Sequence, residues 1–252
     1  MKNQIQHAYA YVFIMSALFL LSCNADSFEY PELKYIDTNR TFTKGDEAEA
    51  PLNPSDTYFG KSLQAWTRDW WKYVLSFDCA SNPLNFPVLS SVPDQRGPVF
   101  FLVGSKDGIA SRYIDIPRNK KILFPVINTI FSFPCADESF APTANQTLEQ
   151  FLGNHADKWL DQVTNLEVVL DGDLLSTRNA NRISTGLFYL SGNKDLVNCL
   201  DVCVSGQSQP AVAEGYWHML SNLKPGRHEL TVHAEILQTG VVVDEHYSIN
   251  IY

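Results

Sequence analysis

The chain of 252 residues carries 28 acidic and 19 basic side chains, for a net charge of −9 and an isoelectric point near 5.1. Nucleic-acid binding needs clustered cations to neutralise phosphate, and no basic block exists, so the charge argues against such a partner. The same acidity repels anionic lipid headgroups weakly, so charge does not hold the chain at a membrane.

Lys2 is the only charged side chain among the first 22 residues, and thirteen of the fifteen residues from Ala8 to Ser22 are apolar. A short basic start and an apolar run below bilayer-spanning length describe a signal peptide over residues 1–22. Leu20-Leu21-Ser22-Cys23 resembles the lipobox of bacterial lipoproteins, which implies cleavage before Cys23 and acylation of its thiol. Several acyl chains make a stable tether where one does not. The expected place is the bacterial envelope, the outer membrane being favoured, with the membrane reached through lipid and with a glycan or an envelope protein as further partner.

Residues 23–57 read as an acidic, flexible tether. From Asn24 to Thr57 there are eight acidic and three basic residues, with Pro31, Pro51 and Pro54 and no sustained apolar period. As a coil it spans roughly 30 Å. The 195 residues from Tyr58 to Tyr252 suffice for one domain with a sizeable core.

That domain opens on a helix. Phe59, Leu63, Trp66, Trp70, Val74 and Phe77 fall on one helical face, Ser55 or Asp56 is placed to cap it, and Asn82-Pro83 ends the segment beyond it. Thr147 to Val163 predicts a second helix, with Leu148, Leu152, His155, Trp159 and Val163 on one face and a Thr147/Gln150 capping box. The remainder reads as short strands: 97–104, two extended pieces in 112–128, 166–175 with a hairpin at Asp171-Gly172, then 186–190, 214–220, 228–237 and 241–252. The fold class expected is mainly β, a two-sheet antiparallel sandwich or jelly-roll-like domain with two packed α-helices.

With Cys23 lipidated, Cys79, Cys135, Cys199 and Cys203 remain, an even number in an oxidising compartment. Disulfides are expected, the favoured pairing being Cys199 with Cys203 and Cys79 with Cys135. No C-x-x-C spacing supports a zinc site.

Phosphate-loop, dinucleotide, zinc-protease and nucleophile-elbow motifs are all missing. "GSKDG" at 104–108 reads as a polar turn after a strand. One cluster suits a divalent metal. A tight turn at Thr239-Gly240 would set His233 against His246, Glu235 against Asp244 and Thr231 against Ser248 on the polar face of the last two strands. Two imidazoles beside two carboxylates match zinc chemistry and, with a bound water, a metal-dependent hydrolase; a plain solvated face is the alternative. Trp71 falls off the helical stripe and Trp217 alternates along a strand. As exposed indoles both are candidates for stacking on a sugar ring, core packing being the alternative.

"GPVFFLVG", "RYIDIPRNKKILFPVIN", "NRISTGLF" and "EGYWHMLSNLKPGRHELTVHAEI" resemble segments of a group of uncharacterised secreted bacterial proteins. Trp66, Trp70 and Trp71 match the group's W-x-x-x-W-W, whereas Arg118-Asn119-Lys120 replaces its usual glycine turn and Glu214 stands where Asp is common. The resemblance covers most of residues 58 to 250 and implies one exported domain; it implies no catalytic residue. Three functions remain: a ligand- or glycan-binding module, the metal-dependent hydrolase, and a structural envelope component.

Overall fold

The computed structural model describes residues 55–89, 95–176, 182–220 and 223–252. Cys23, the signal peptide and all of the tether before Ser55 lie outside the described residues. The domain is mainly β, with 43% strand, 18% helix and two α-helices.

A two-strand ribbon, β1 (Thr57–Tyr58) and β2 (Lys61–Ser62), leads into helix α1 (Leu63–Leu75). The helix starts later than the apolar spacing predicts. Phe59 takes a positive φ of 53° in the turn of the ribbon, and Ser62, not Ser55 or Asp56, is the N-cap, accepting the Ala65 N–H at 3.2 Å. A capped first turn satisfies a donor that the helix itself cannot. Strands β3 (Val88–Leu89), β4 (Val99–Phe101), β5 (Ile109–Ile116) and β6 (Lys121–Ser132) come next. Helix α2 (Leu148–Leu160) carries both halves of the expected Thr147/Gln150 capping box.

Beyond α2 come β7 (Asn165–Leu170), β8 (Asp173–Ser176), β9 (Arg182–Ser184), β10 (Phe188–Ser191), β11 (Ser208–Leu220), β12 (Gly226–Ile236) and β13 (Val241–Ile251). The Asp171-Gly172 hairpin forms between β7 and β8. Both turn residues have positive φ, 53° and 90°, as a turn matching strand twist requires.

The strands form two larger sheets. Sheet I has the order β10-β11-β6-β4, with β9 also paired to β11; sheet II has the order β3-β5-β13-β12-β7-β8. A two-sheet sandwich fits, but the sheets are mixed, which corrects the all-antiparallel expectation: β4 with β6, β5 with β13 and β3 with β5 run parallel. The β5–β13 pair brings together the beginning and end of the domain, a pairing invisible to local periodicity. Phe124 and Tyr216 of sheet I share one apolar core with Val232, Tyr247 and Ile249 of sheet II. The other face of sheet I is covered by α1, where Trp70 stands edge-on between Trp71 and Trp217, ring centroids 5.1 and 5.3 Å away. The Trp70 indole N–H donates to the Leu102 carbonyl at 3.0 Å, so its burial strands no polar atom.

The disulfide pairing differs from the expected one. Cys79 bonds Cys199 and Cys135 bonds Cys203. The segment from Lys194 to Val204 is held between the turn after α1 and the chain beyond β6, so its two cysteines crosslink outward, in different directions, rather than to each other. Asp195 in that segment also accepts the Cys79 N–H at 2.9 Å.

Candidate functional site

The expected metal cluster on the β12–β13 hairpin does not assemble. The connection is a four-residue turn, Leu237 to Gly240, closed by the Gly240 N–H to the Ile236 carbonyl at 2.9 Å, so Ile236 pairs with Val241. Each residue of β12 therefore faces a partner two places earlier than a tight turn would give. His233 faces Asp244, Thr231 faces His246 and Glu235 faces Val242. A shift of two preserves the polar face but leaves the imidazoles diagonal, about 7–8 Å apart at the backbone. Each takes its own carboxylate: His233 Nε2 lies 3.2 Å from Glu235 Oε1, and His246 Nε2 lies 3.1 Å from Glu229 Oε2. Among the described residues, no group of three or more His, Cys, Asp or Glu side chains is placed to hold a metal ion.

The candidate stacking surface is corrected as well. Trp71 is 7% exposed and Trp217 1%, so neither offers a ring face to solvent. Both pack where α1 lies on sheet I, because the stripe α1 buries is wide enough to include Trp71 beside Trp70.

The structure instead opens a cleft of about 650 Å³ at the edge of sheet I, within the usual range for small-molecule sites. Strand β4 pairs with β6 only as far as Leu123, while β6 continues to Ser132; past that point no strand of the described residues covers this edge. The cleft fills the step so formed. Its walls come from α1 around Trp70 and Trp71, residues 104–109, residues 125–130 of β6, Trp159 of α2, Leu200-Asp201, and β13 with the turn before it. Leu200 and Asp201 lie between the two cystines, so both bridges brace that wall.

Two polar atoms of the lining residues are buried without a partner: the Trp71 indole Nε1 and the Asn128 amide Nδ2. Both are donors only. Leaving such a group unmet costs about 1–3 kcal/mol.

Behind the 104–109 wall lies a buried polar cluster. Arg112 (3% exposed) and Glu245 (5% exposed) stand on the core-facing sides of β5 and β13. Arg112 Nη2 donates to the carbonyls of Pro83 and Gly104, at 2.8 and 2.6 Å. Glu245 Oε1 accepts the Ser105 N–H at 2.8 Å, and its Oε2 accepts the Tyr247 hydroxyl at 2.6 Å. A Cβ at position 104 would lie 1.8 Å from Glu245 Oε1, so a larger residue there displaces this carboxylate. Burial pushes the Glu245 carboxyl up from its ordinary range, opposed by the Tyr247 and Ser105 hydrogen bonds and by the nearby Arg112 charge. It pulls the Arg112 guanidinium down and raises the Tyr247 phenol. Asp201, in the opposite wall, is also raised by burial, against the pull of the Cys203 N–H.

The segment "GSKDG" is thus the expected polar turn and, in addition, a wall of the cleft. Sequence reasoning missed Arg112, Glu245 and Asn128. A signal existed for the first two: alternation puts Arg112 in register with Ile114 and Ile116, and Glu245 with Val243, Tyr247 and Ile249. A charge in step with the apolar face of a strand is a buried charge. Asn128 carries no comparable mark.

Compared with known protein families, curated proteins and solved structures, the chain gives no match.

Proposed function

We propose that this protein is an exported ligand-binding module, lipid-anchored through Cys23 in a bacterial envelope, whose cleft takes a saccharide-sized ligand. The lipobox-like stretch Leu20 to Cys23 supports the anchor, and two disulfides in a mainly β domain fit an oxidising compartment. The outer membrane is the favoured location, and the likeness to secreted bacterial proteins agrees with export.

One observation carries the binding reading: a cleft of about 650 Å³ is lined by Trp70, Trp71 and Trp159 beside the polar Asn128 and Thr129. A sugar supplies hydroxyls for polar side chains and a ring that packs against apolar and indole surfaces. Binding to a glycan array, scored for the wild type and for Trp71→Phe and Asn128→Ala, tests the reading. Loss of the bound glycans in both variants is expected; unchanged binding in both moves the contact elsewhere. For the anchor, palmitate labelling lost in Cys23→Ser is the expected result.

A further inference from the structure

The bare edge of β6 has a chemical cause. Next after the Phe101–Leu123 pair, the Leu102 carbonyl would accept the N–H of residue 125 in a parallel ladder, but Pro125 has none. That carbonyl takes the Trp70 indole N–H instead, and the ladder ends with the Leu102 N–H to Leu123 carbonyl bond at 2.9 Å. The chain is then drawn to the other sheet. Arg112 Nη2 holds the Gly104 carbonyl and Glu245 Oε1 holds the Ser105 N–H, so the buried charges keep residues 104–105 off β6.

Alternation decides which groups of β6 point to the edge so opened. Ala213 of β11 turns its main chain away from β6: its N–H donates to Thr185 Oγ1 at 2.9 Å, and its carbonyl accepts the Thr185 N–H at 2.8 Å. Ile130 is its partner in the β11–β6 register, so Ile130 also points away from β11, as does Asn128 two residues before it. Both residues line the cleft and are partly accessible. Among the described residues, no hydrogen bond takes up their main-chain N–H and C=O groups. Two donors and two acceptors therefore repeat along the cleft at an interval of about 7 Å, a template for another strand.

An extended peptide repeats the same groups at the same interval. Of the ionisable lining residues, Asp107, Asp201 and Glu245 are acidic; Lys106 is basic and lies 3.9 Å from Asp107 Oδ1. Such a lining favours a segment with basic side chains. We infer that β6 accepts an extended, basic peptide segment of a partner protein as an added strand, paired with the main chain of Asn128 and Ile130 beyond the end of β4. This addition uses the main chain of β6 rather than the indole walls, so it stands independently of the saccharide reading.

The test uses the oxidised full chain in detergent and the blocked hexapeptide Ac-Lys-Val-Thr-Val-Lys-Val-NH2. In hydrogen exchange read by NMR, the Asn128 and Ile130 amides of the free protein should exchange at least about tenfold faster than those of Thr129 and Phe131, which face β11. Saturating peptide should slow them by a similar factor. Amides of Asn128 and Ile130 already as slow as their neighbours, or unmoved by peptide, overturn the inference. Two N-methylated peptides, methylated on the odd or the even residues, each lack the donors of one side. In calorimetry one should lose at least about tenfold in affinity and the other stay within about threefold. Equal loss or equal retention overturns strand pairing. Ile130→Pro removes an edge donor without touching the β11 ladder and should weaken binding about tenfold, with near-ultraviolet circular dichroism verifying a native fold. Replacing both lysines of the peptide by glutamate should weaken binding at least about threefold at low salt; equal binding overturns the basic character assigned to the partner. Self-association in sedimentation that the peptide does not reverse assigns the edge to a second copy and overturns the peptide. A blank for the peptide overturns strand addition and leaves the saccharide reading in place.

Discussion

The outer face of the β12–β13 hairpin and the cleft at the edge of β6 both hold polar side chains, and they are opposites. On the hairpin, His233, His246, Glu235 and Glu229 have the residue types of a catalytic centre, yet they are partly open to water and pair among themselves at about 3 Å. In the cleft the residue types are unremarked, a tryptophan and an asparagine, yet their donors are buried and unmet. On the hairpin each imidazole already has a carboxylate partner. Burial gives an unmet polar atom its cost.

The largest perturbation should come from the bridges that brace the cleft wall. They close loops of 120 and 68 residues in sequence separation, and loop-closure entropy assigns them about 4–5 kcal/mol each. Urea unfolding of Cys79→Ala/Cys199→Ala should show a loss on the order of that size. Hydrogen exchange near Leu200 and Asp201 should rise beyond the global change, whereas β12–β13 amides should follow the global change alone. Extra opening of the hairpin instead would show that the bridges do not act on the wall.

Next in size is the buried charge cluster. Glu245→Ala leaves Arg112 buried without its counter-charge and leaves the Ser105 N–H without an acceptor, which should cost about 3–5 kcal/mol in equilibrium unfolding. Glu235→Ala removes a carboxylate from the partly exposed hairpin face and should stay within about 0.5 kcal/mol. Comparable losses in the two variants would erase the contrast between the regions.

Titration probes the buried His218. His218 is buried beside Phe124 in the sheet I–sheet II core, and burial pulls its imidazole down to about 4. A depressed folded value means the stabilising contribution is complete above the unfolded value near 6.5 and is lost as pH falls toward 4, at most about 3 kcal/mol. Glu214, Asp201 and Glu245 are raised by burial and act in the opposite sense on acidification. The quantity to measure is therefore the difference between wild type and His218→Gln, which should shrink as pH falls from 6.5 to 4. A pH-independent difference would remove His218 from the acid response.

The smallest effect is expected on the hairpin. His233→Ala/His246→Ala should shift stability by no more than about 0.5 kcal/mol and leave glycan binding unchanged. A larger loss, or stoichiometric zinc in the wild type that the double variant lacks, would restore the hairpin as a site.

Local chemistry was legible in the sequence wherever it acts over a few residues. Thr147 and Gln150 gave the capping box, Asp171-Gly172 gave the hairpin, and alternation separated Leu230, Val232 and Ala234 from Thr231 and His233, because each rests on neighbours along one strand or helix turn. Even the mistaken start of α1 was local: Ser62 offers a cap as good as Ser55, and only the ribbon at Phe59 decides between them.

The amino-acid sequence by itself determined the mainly β class, two helices, an even set of bridging cysteines and which face of each late strand is apolar. Tertiary structure alone decided the hairpin register, the Cys79–Cys199 and Cys135–Cys203 pairing, the parallel joining of β5 to β13, and the cleft. The physical reason is the range of the forces involved. Caps, turns and amphipathic faces are fixed by hydrogen bonds and side-chain direction between residues a few positions apart. Register, bridges and cavities depend on which distant segments meet, and that is set by the packing of the whole core.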